Sequence, residues 1–158
     1  MYRTVFGTEL ESEVVGLKTE DGARVHGTLA WRGDKIPATG VLSMHPASHG
    51  FRHFSLEGLG EVGLAALRLR SRFAGDDSTL IMEEVMLDIA AGVKFLRDWG
   101  CKKVVLFGHS GGGPLMSFYQ SQAESHTVTS TPAGDPPDLT KADLPAADAI
   151  ITSGAHLG

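Results

Sequence analysis

The sequence predicts an α/β fold: a mostly parallel β-sheet with antiparallel strands at its N-terminal end. Two apolar strands flank an Asp21-Gly22 turn, and the later strands alternate with helical segments. One strand also ends in Gly-x-Ser-x-Gly at residues 108–112, directly before a helix. Strands that alternate with helices form parallel sheets covered on both faces, and ligands bind where their carboxyl ends meet. The functional site is therefore expected at that edge of the sheet.

The composition indicates a single globular domain with no unusual partner. The chain has 158 residues, a net charge of -5, 42% hydrophobic residues and 21% charged residues, which are ordinary values for one soluble domain. The negative charge argues against a nucleic-acid surface. Cys101 is the single cysteine, so an intrachain disulfide is excluded. Met1–Val15 lacks a signal-peptide core and no segment has the length of a membrane span, so we expect a cytoplasmic protein with no membrane partner.

The chain opens with a predicted hairpin. Strands are expected over residues 13–18 and 24–31, where apolar residues alternate in the second strand. The Asp-Gly pair between them favours a tight hairpin turn. A short apolar strand over residues 39–44 follows and is expected inside the sheet.

Helices and strands then alternate to the end of the chain. Helices are predicted over residues 54–62 and 79–99, the second from apolar residues spaced three and four apart, with Asp76 or Asp77 expected to cap it. Another helix is predicted after the elbow, with Pro114 in its first turn. The remaining segments are predicted strands at 64–69, 103–107 and 149–152, with surface loops at 71–78 and 127–145.

The Gly-x-Ser-x-Gly junction has the spacing of a nucleophile elbow. Gly108 and Gly112 lack the Cβ atoms that would collide in so sharp a turn, and Ser110 is held in a strained conformation at the end of the strand. The N-terminus of the next helix favours an oxyanion beside Ser110. Two alternatives are a plain glycine turn in which Ser110 caps the helix and a phosphate-binding loop. The sequence lacks the Gly-x-x-x-x-Gly-Lys-Ser/Thr pattern of phosphate-binding loops, which argues against the second alternative.

These residues resemble the α/β-hydrolase superfamily. The resemblance rests on the elbow Gly108-His109-Ser110-Gly111-Gly112, on the histidine-containing loop after the third strand, and on the order of strands and helices. It implies that the residue after the nucleophile, Gly111, donates one oxyanion N–H and that the loop donates the other. Ala47 is the second donor if His45-Pro46 replaces the family's His-Gly, and Phe51 is the donor if His49-Gly50 does. We prefer Ala47, because His45 directly ends the strand.

The resemblance also implies a catalytic triad whose acid and histidine follow the serine in the chain. The chain stops at the strand after the elbow helix, so residues 1–158 are expected to form a partial domain without the C-terminal part of the fold. His156 ends the last strand but is not expected to be the base, because the family's base comes later in the chain. His109 is expected to pack away from the cleft. The apolar last strand, left at a sheet edge, is expected to favour association.

No metal or cofactor site is predicted. His45, His49 and His53 are spaced four apart, as on a metal-binding helix face, but Pro46 and Gly50 prevent a helix there. The predicted function is a serine hydrolase acting on an ester or related acyl substrate, weak or inactive without its triad partners. The alternative is a non-catalytic homologue that binds a ligand or partner.

Overall fold

The computed structural model describes residues 10–48 and 53–156. Six strands and three helices make up the described fold, together with 3-10 turns at Asp77–Thr79 and Leu139–Lys141. The strands are β1 (Leu10–Lys18), β2 (Arg24–Arg32), β3 (Thr39–Ser43), β4 (Ala65–Leu69), β5 (Lys103–His109) and β6 (Ala149–Ser153). The helices are α1 (Phe54–Glu61), α2 (Met82–Trp99) and α3 (Gly112–Glu124).

All six strands form one sheet in the order β1-β2-β4-β3-β5-β6. β1 pairs antiparallel with β2, and β2 pairs antiparallel with β4. The pairs β3–β4, β3–β5 and β5–β6 are parallel. The predicted fold class, a mostly parallel sheet with antiparallel N-terminal strands, is therefore confirmed.

The start of α2 differs from its predicted position. The helix begins at Met82 rather than Thr79, because Leu80 and Ile81 have extended backbone conformations. The Asp76 carboxylate accepts a hydrogen bond from the Ser78 N–H at 3.3 Å and so caps the short 3-10 turn. The prediction that an aspartate caps the long helix is therefore wrong, and Ile81 at its start makes no side-chain cap hydrogen bond.

The two faces of the sheet are covered by different helices. A large cluster of buried apolar residues joins the sheet to α2 and α3. On the other side, Leu56 of α1 packs against Ala30 and Ala66. No helix within the described ranges is long and apolar enough to cross a membrane.

β6 is an edge strand in the part of the chain that the structure describes. Each of its five residues is exposed, and the exposed fractions of Ile150 and Ile151 are 38% and 50%. An apolar edge strand presents unpaired backbone groups to other chains. Association through β6 remains a prediction.

Candidate active site

Ser110 lies on the turn between β5 and α3 in a left-handed backbone conformation. Its φ of 54° is the single positive value among the described residues other than glycine. Side chains rarely adopt this region, so the surrounding packing must enforce it. A Cβ on Gly108 would lie 2.5 Å from the Gly112 carbonyl oxygen, and one on Gly112 would lie 2.5 Å from the Met44 carbonyl oxygen. Both glycines are therefore required by the close approach of backbone at this turn.

Backbone hydrogen bonds fix the orientation of the turn. The Ser110 N–H donates to the Ser153 carbonyl at 3.3 Å, and the Ser110 carbonyl accepts from the Gly113 N–H at 3.0 Å. Gly111 precedes the first residue of α3, and we find no hydrogen bond from its N–H to another described residue. Free N–H groups at a helix start stabilise negative charge. Gly111 therefore remains the predicted first oxyanion donor.

His156 contacts the Ser110 hydroxyl. Its Nε2 lies 2.9 Å from Ser110 Oγ, and its backbone N–H donates to the Ser110 carbonyl at 3.3 Å. This histidine was not expected to be a base from its place in the chain, and the structure brings it within the hydrogen-bond reach that a base requires. His156 is exposed, and no described carboxylate hydrogen bonds to it.

The register of the sheet explains this contact. His109 pairs with Ser153 across β5 and β6, so the two strands end side by side. Gly154 then turns the chain with a φ of 53°. Ala155 packs against the first turn of α3, where a Cβ on Gly113 would lie 2.3 Å from the Ala155 Cβ. This contact positions the next residue, His156, beside the Ser110 hydroxyl.

His109 is a packing residue, as expected, and its ring lies against aromatic side chains at the start of α1. Its ring centroid lies 5.2 Å from that of Phe54 and 5.5 Å from that of His53. His53 also caps α1, because its Nδ1 accepts a hydrogen bond from the Ser55 N–H at 3.3 Å. Burial lowers the pKa of His53 to about 4, and the nearby charge of Arg68 adds to that effect.

The loop after β3 has a different arrangement from the one predicted for an oxyanion donor. His45 Nδ1 accepts hydrogen bonds from the N–H groups of Ala47 at 3.2 Å and Ser48 at 3.1 Å. The Ala47 N–H is thus already bonded within its own loop, so it must leave His45 before it can bind an oxyanion. This geometry counts against the prediction for Ala47, while Phe51, the other candidate, lies outside the described residues.

His45 also links this loop to the elbow. A Cβ on Gly111 would lie 2.9 Å from His45 Nε2, so the ring occupies the space beside that glycine. Burial lowers the pKa of His45, with a further contribution from Arg68. Since Nδ1 accepts two N–H groups, the neutral ring carries its proton on Nε2. The loop is therefore held by an uncharged histidine.

A buried ion pair between Arg72 and Asp88 lies next to the segment that contacts the histidine loop, and the sequence did not predict it. Asp88 of α2 is 0% exposed and accepts hydrogen bonds from the Arg72 N–H and Nε, each at 2.9 Å. Arg72 also forms an ion pair with Asp21 in the β1–β2 turn. Next to it, the Ser71 hydroxyl donates to the Pro46 carbonyl. Arg72 thus connects the hairpin turn to α2, and the neighbouring Ser71 connects the same segment to the histidine loop.

Metal ligands are not clustered in the described part of the chain. Among residues 10–48 and 53–156, no group of three or more His, Cys, Asp or Glu side chains is arranged to hold a metal ion. His49, one of the three spaced histidines, lies outside the described residues.

Solved structures share this fold. Brefeldin A esterase, a bacterial homologue of human hormone-sensitive lipase, aligns over 73% of this chain and 36% of its own, with a TM-score of 0.61 and 17% identity. Acetyl xylan esterase from Paenibacillus sp. R4 aligns over 77% and 47%, with a TM-score of 0.63 and 18% identity. Oligopeptidase B from Trypanosoma brucei aligns over 91% and 20%, with a TM-score of 0.64 and 13% identity.

These similarities confirm the predicted α/β-hydrolase fold. No protein-family model and no curated protein sequence matches the chain. The chain spans between about a fifth and a half of the three solved structures. At identities below a quarter the likeness concerns the fold, and the chemistry must be argued from the site.

Proposed function

We propose that this chain, which has the α/β-hydrolase fold, is a serine hydrolase that acts on an ester or related acyl substrate. The observation that carries the proposal is the Ser110 hydroxyl, held at φ 54° on a strand-to-helix turn with its Oγ 2.9 Å from His156 Nε2. A nucleophile needs a base within this distance, and the glycines around Ser110 permit the close backbone approach that the turn requires.

The proposed reaction is acyl transfer through Ser110. Its Oγ attacks the substrate carbonyl carbon while the hydroxyl proton passes to His156 Nε2. The Gly111 N–H and the N-terminus of α3 stabilise the negative charge on the former carbonyl oxygen. When the intermediate collapses, the leaving alcohol takes the proton from His156, and Ser110 keeps the acyl group. Water then attacks this acyl ester by the same steps and frees the acid.

Slow turnover is part of the proposal. His156 is exposed, and none of the carboxylates that the structure describes is bonded to it to hold the ring or stabilise its positive charge. In a Ser-His-Asp triad the acid supplies both effects. An activated ester is therefore the substrate class most accessible to residues 1–158, because its alcohol leaves without strong acid catalysis.

The test is covalent labelling by a fluorophosphonate, which reports nucleophilicity without requiring turnover. Ser110→Ala should abolish labelling, and His156→Ala should slow it by about 10²-fold, the lower range for loss of a general base. His126→Ala is the matched control, because His126 is exposed and lies outside the site. Labelling that persists in Ser110→Ala contradicts the assignment of the nucleophile. Absence of labelling in the unsubstituted chain instead supports a non-catalytic binding protein.

A further inference from the structure

Arg68 of β4 is a buried cation that has no counter-charge among the residues the structure describes. Its exposed fraction is 4%, and its Nε is enclosed without a hydrogen bond. Among residues 10–48 and 53–156, no carboxylate forms an ion pair with it. Arg72, only four residues away, is surrounded by the carboxylates of Asp21, Glu84 and Asp88. The described residues therefore leave the charge of Arg68 uncompensated, in contrast to that of Arg72.

The position of Arg68 connects it to the candidate active site. It pairs with Ser43 across the parallel strands β3 and β4, close to their carboxyl ends. Burial lowers the pKa values of His45 and His53, and the charge of Arg68 adds to that effect in both, so both rings lie within electrostatic range of the guanidinium. The His45 ring in turn lies against Gly111, next to Ser110. Arg68 thus belongs to the edge of the sheet at which ligands of this kind of fold bind.

A buried guanidinium without an anion is costly. Removing a charge from water is strongly unfavourable unless a partner compensates it. Burial lowers the pKa of Arg68 to about 10, so the group still carries its charge at neutral pH. Its planar array of N–H donors matches a carboxylate or a phosphate. An anionic ligand would remove the electrostatic cost.

The local charge selects between these two anions. The two histidines beside Arg68 are neutral at pH 7, since the pKa of His53 is about 4 and burial lowers that of His45. Of Arg68, His45 and His53, Arg68 therefore supplies the positive charge at pH 7. One charge balances a carboxylate, whereas a phosphate monoester near pH 7 carries close to two negative charges.

We propose that Arg68 binds a carboxylate group of the substrate, so that the enzyme prefers acyl esters carrying one negative charge. This inference rests on the proposed hydrolase function, since it names the substrate class of the same site. Arg68 is then a specificity-determining residue: it does not touch the reacting carbonyl, and it fixes the far end of the substrate.

The experiment measures binding rather than hydrolysis, so that its outcome is separate from that of the labelling test. In the Ser110→Ala protein, which removes the nucleophile, monomethyl succinate and dimethyl succinate are titrated by ligand-detected NMR. The two ligands differ by one methyl group and one negative charge. We expect the monoanion to bind about tenfold to a hundredfold more tightly, the usual value of a hydrogen bond to a charged group. Adding Arg68→Met should abolish the preference.

Two further variants keep the test decisive. Lys102→Met removes the same charge from an exposed residue at the opposite end of β5 and should leave the preference intact. Arg68→Lys keeps the charge in the buried position and should retain part of it, even if Arg68→Met fails to fold. Equal binding of the two succinates to the Ser110→Ala protein would overturn the proposal. So would a preference that survives in Arg68→Met.

Discussion

Replacing Asp88 with asparagine should destabilise the fold by about 3 kcal/mol, because the loss of one partner leaves a buried ion pair incomplete. The Asp88 carboxylate accepts the Arg72 N–H and Nε at 2.9 Å and lies 2.8 Å from its terminal nitrogen. Asparagine keeps one acceptor oxygen, and its amide group faces the guanidinium with the wrong polarity. The hydrogen bond to the replaced oxygen is lost, the bond to the remaining oxygen loses its charge assistance, and breaking a buried ion pair in this way costs about 3–5 kcal/mol.

The lower part of that range applies for two reasons. Burial raises the pKa of Asp88 in spite of Arg72, so the charged form is already costly. Arg72 also keeps its ion pairs with Asp21 and Glu84. For a chain of this size, each kcal/mol lowers Tm by about 2–4 °C, so Asp88→Asn should lower it by about 6–12 °C.

Thermal unfolding followed by circular dichroism measures this difference. The matched control is Asp143→Asn, which removes an exposed carboxylate from an ion pair with Lys94 and should change stability by no more than about 0.5 kcal/mol. Equal Tm values for the two variants would refute the reasoning, since the Arg72–Asp88 pair would then contribute no more than a surface pair.

Two other predictions concern the histidine cap and the elbow. The pKa of His53 in the folded protein is about 4, below the usual value of 6.5. Protonation of His53 therefore opposes folding. The contribution of neutral His53 to stability is present above pH 6.5 and is lost as the pH falls towards 4. His53→Asn keeps a cap acceptor for the Ser55 N–H and should flatten urea-measured stability across that range; an unchanged pH profile contradicts this assignment. Gly108→Ala places a Cβ 2.5 Å from the Gly112 carbonyl oxygen and should abolish fluorophosphonate labelling or folding. Gly58→Ala, where a Cβ meets no atom within 4 Å, should retain both, and equal behaviour of the two variants would contradict the steric argument.

Local signals made the fold and the elbow predictable. The Asp21-Gly22 turn and the apolar spacing of α2 are patterns formed by residues close together in the sequence. Both elements form close to where they were predicted. The need for glycine at positions 108 and 112 was predictable from the motif spacing alone, because the close backbone approach in this turn does not depend on distant parts of the chain. Ser110 follows from the same spacing.

Contacts between distant segments were not predictable in the same way. Asp88 lies within an amphipathic helix, and its burial depends on Arg72, which lies in another loop. His156 reaches Ser110 only because β6 pairs in register with β5, and no local pattern specifies that register. Arg68 of β4 is enclosed although arginine is mostly exposed in proteins, and no local pattern specifies that burial. Each miss concerns a polar side chain whose partner, or lack of one, is set by tertiary packing.

The contact between Gly113 and Ala155 makes the reactivity of Ser110 adjustable from a position that bears no functional group. A Cβ at residue 113 would lie 2.3 Å from the Ala155 Cβ, whereas ordinary contact begins at 3.4 Å. One added methyl group must therefore push Ala155 outward by about 1 Å, and the imidazole of the next residue moves with it. Side chains of increasing size at position 113 would thus lengthen and weaken the hydrogen bond between Ser110 and His156 in steps.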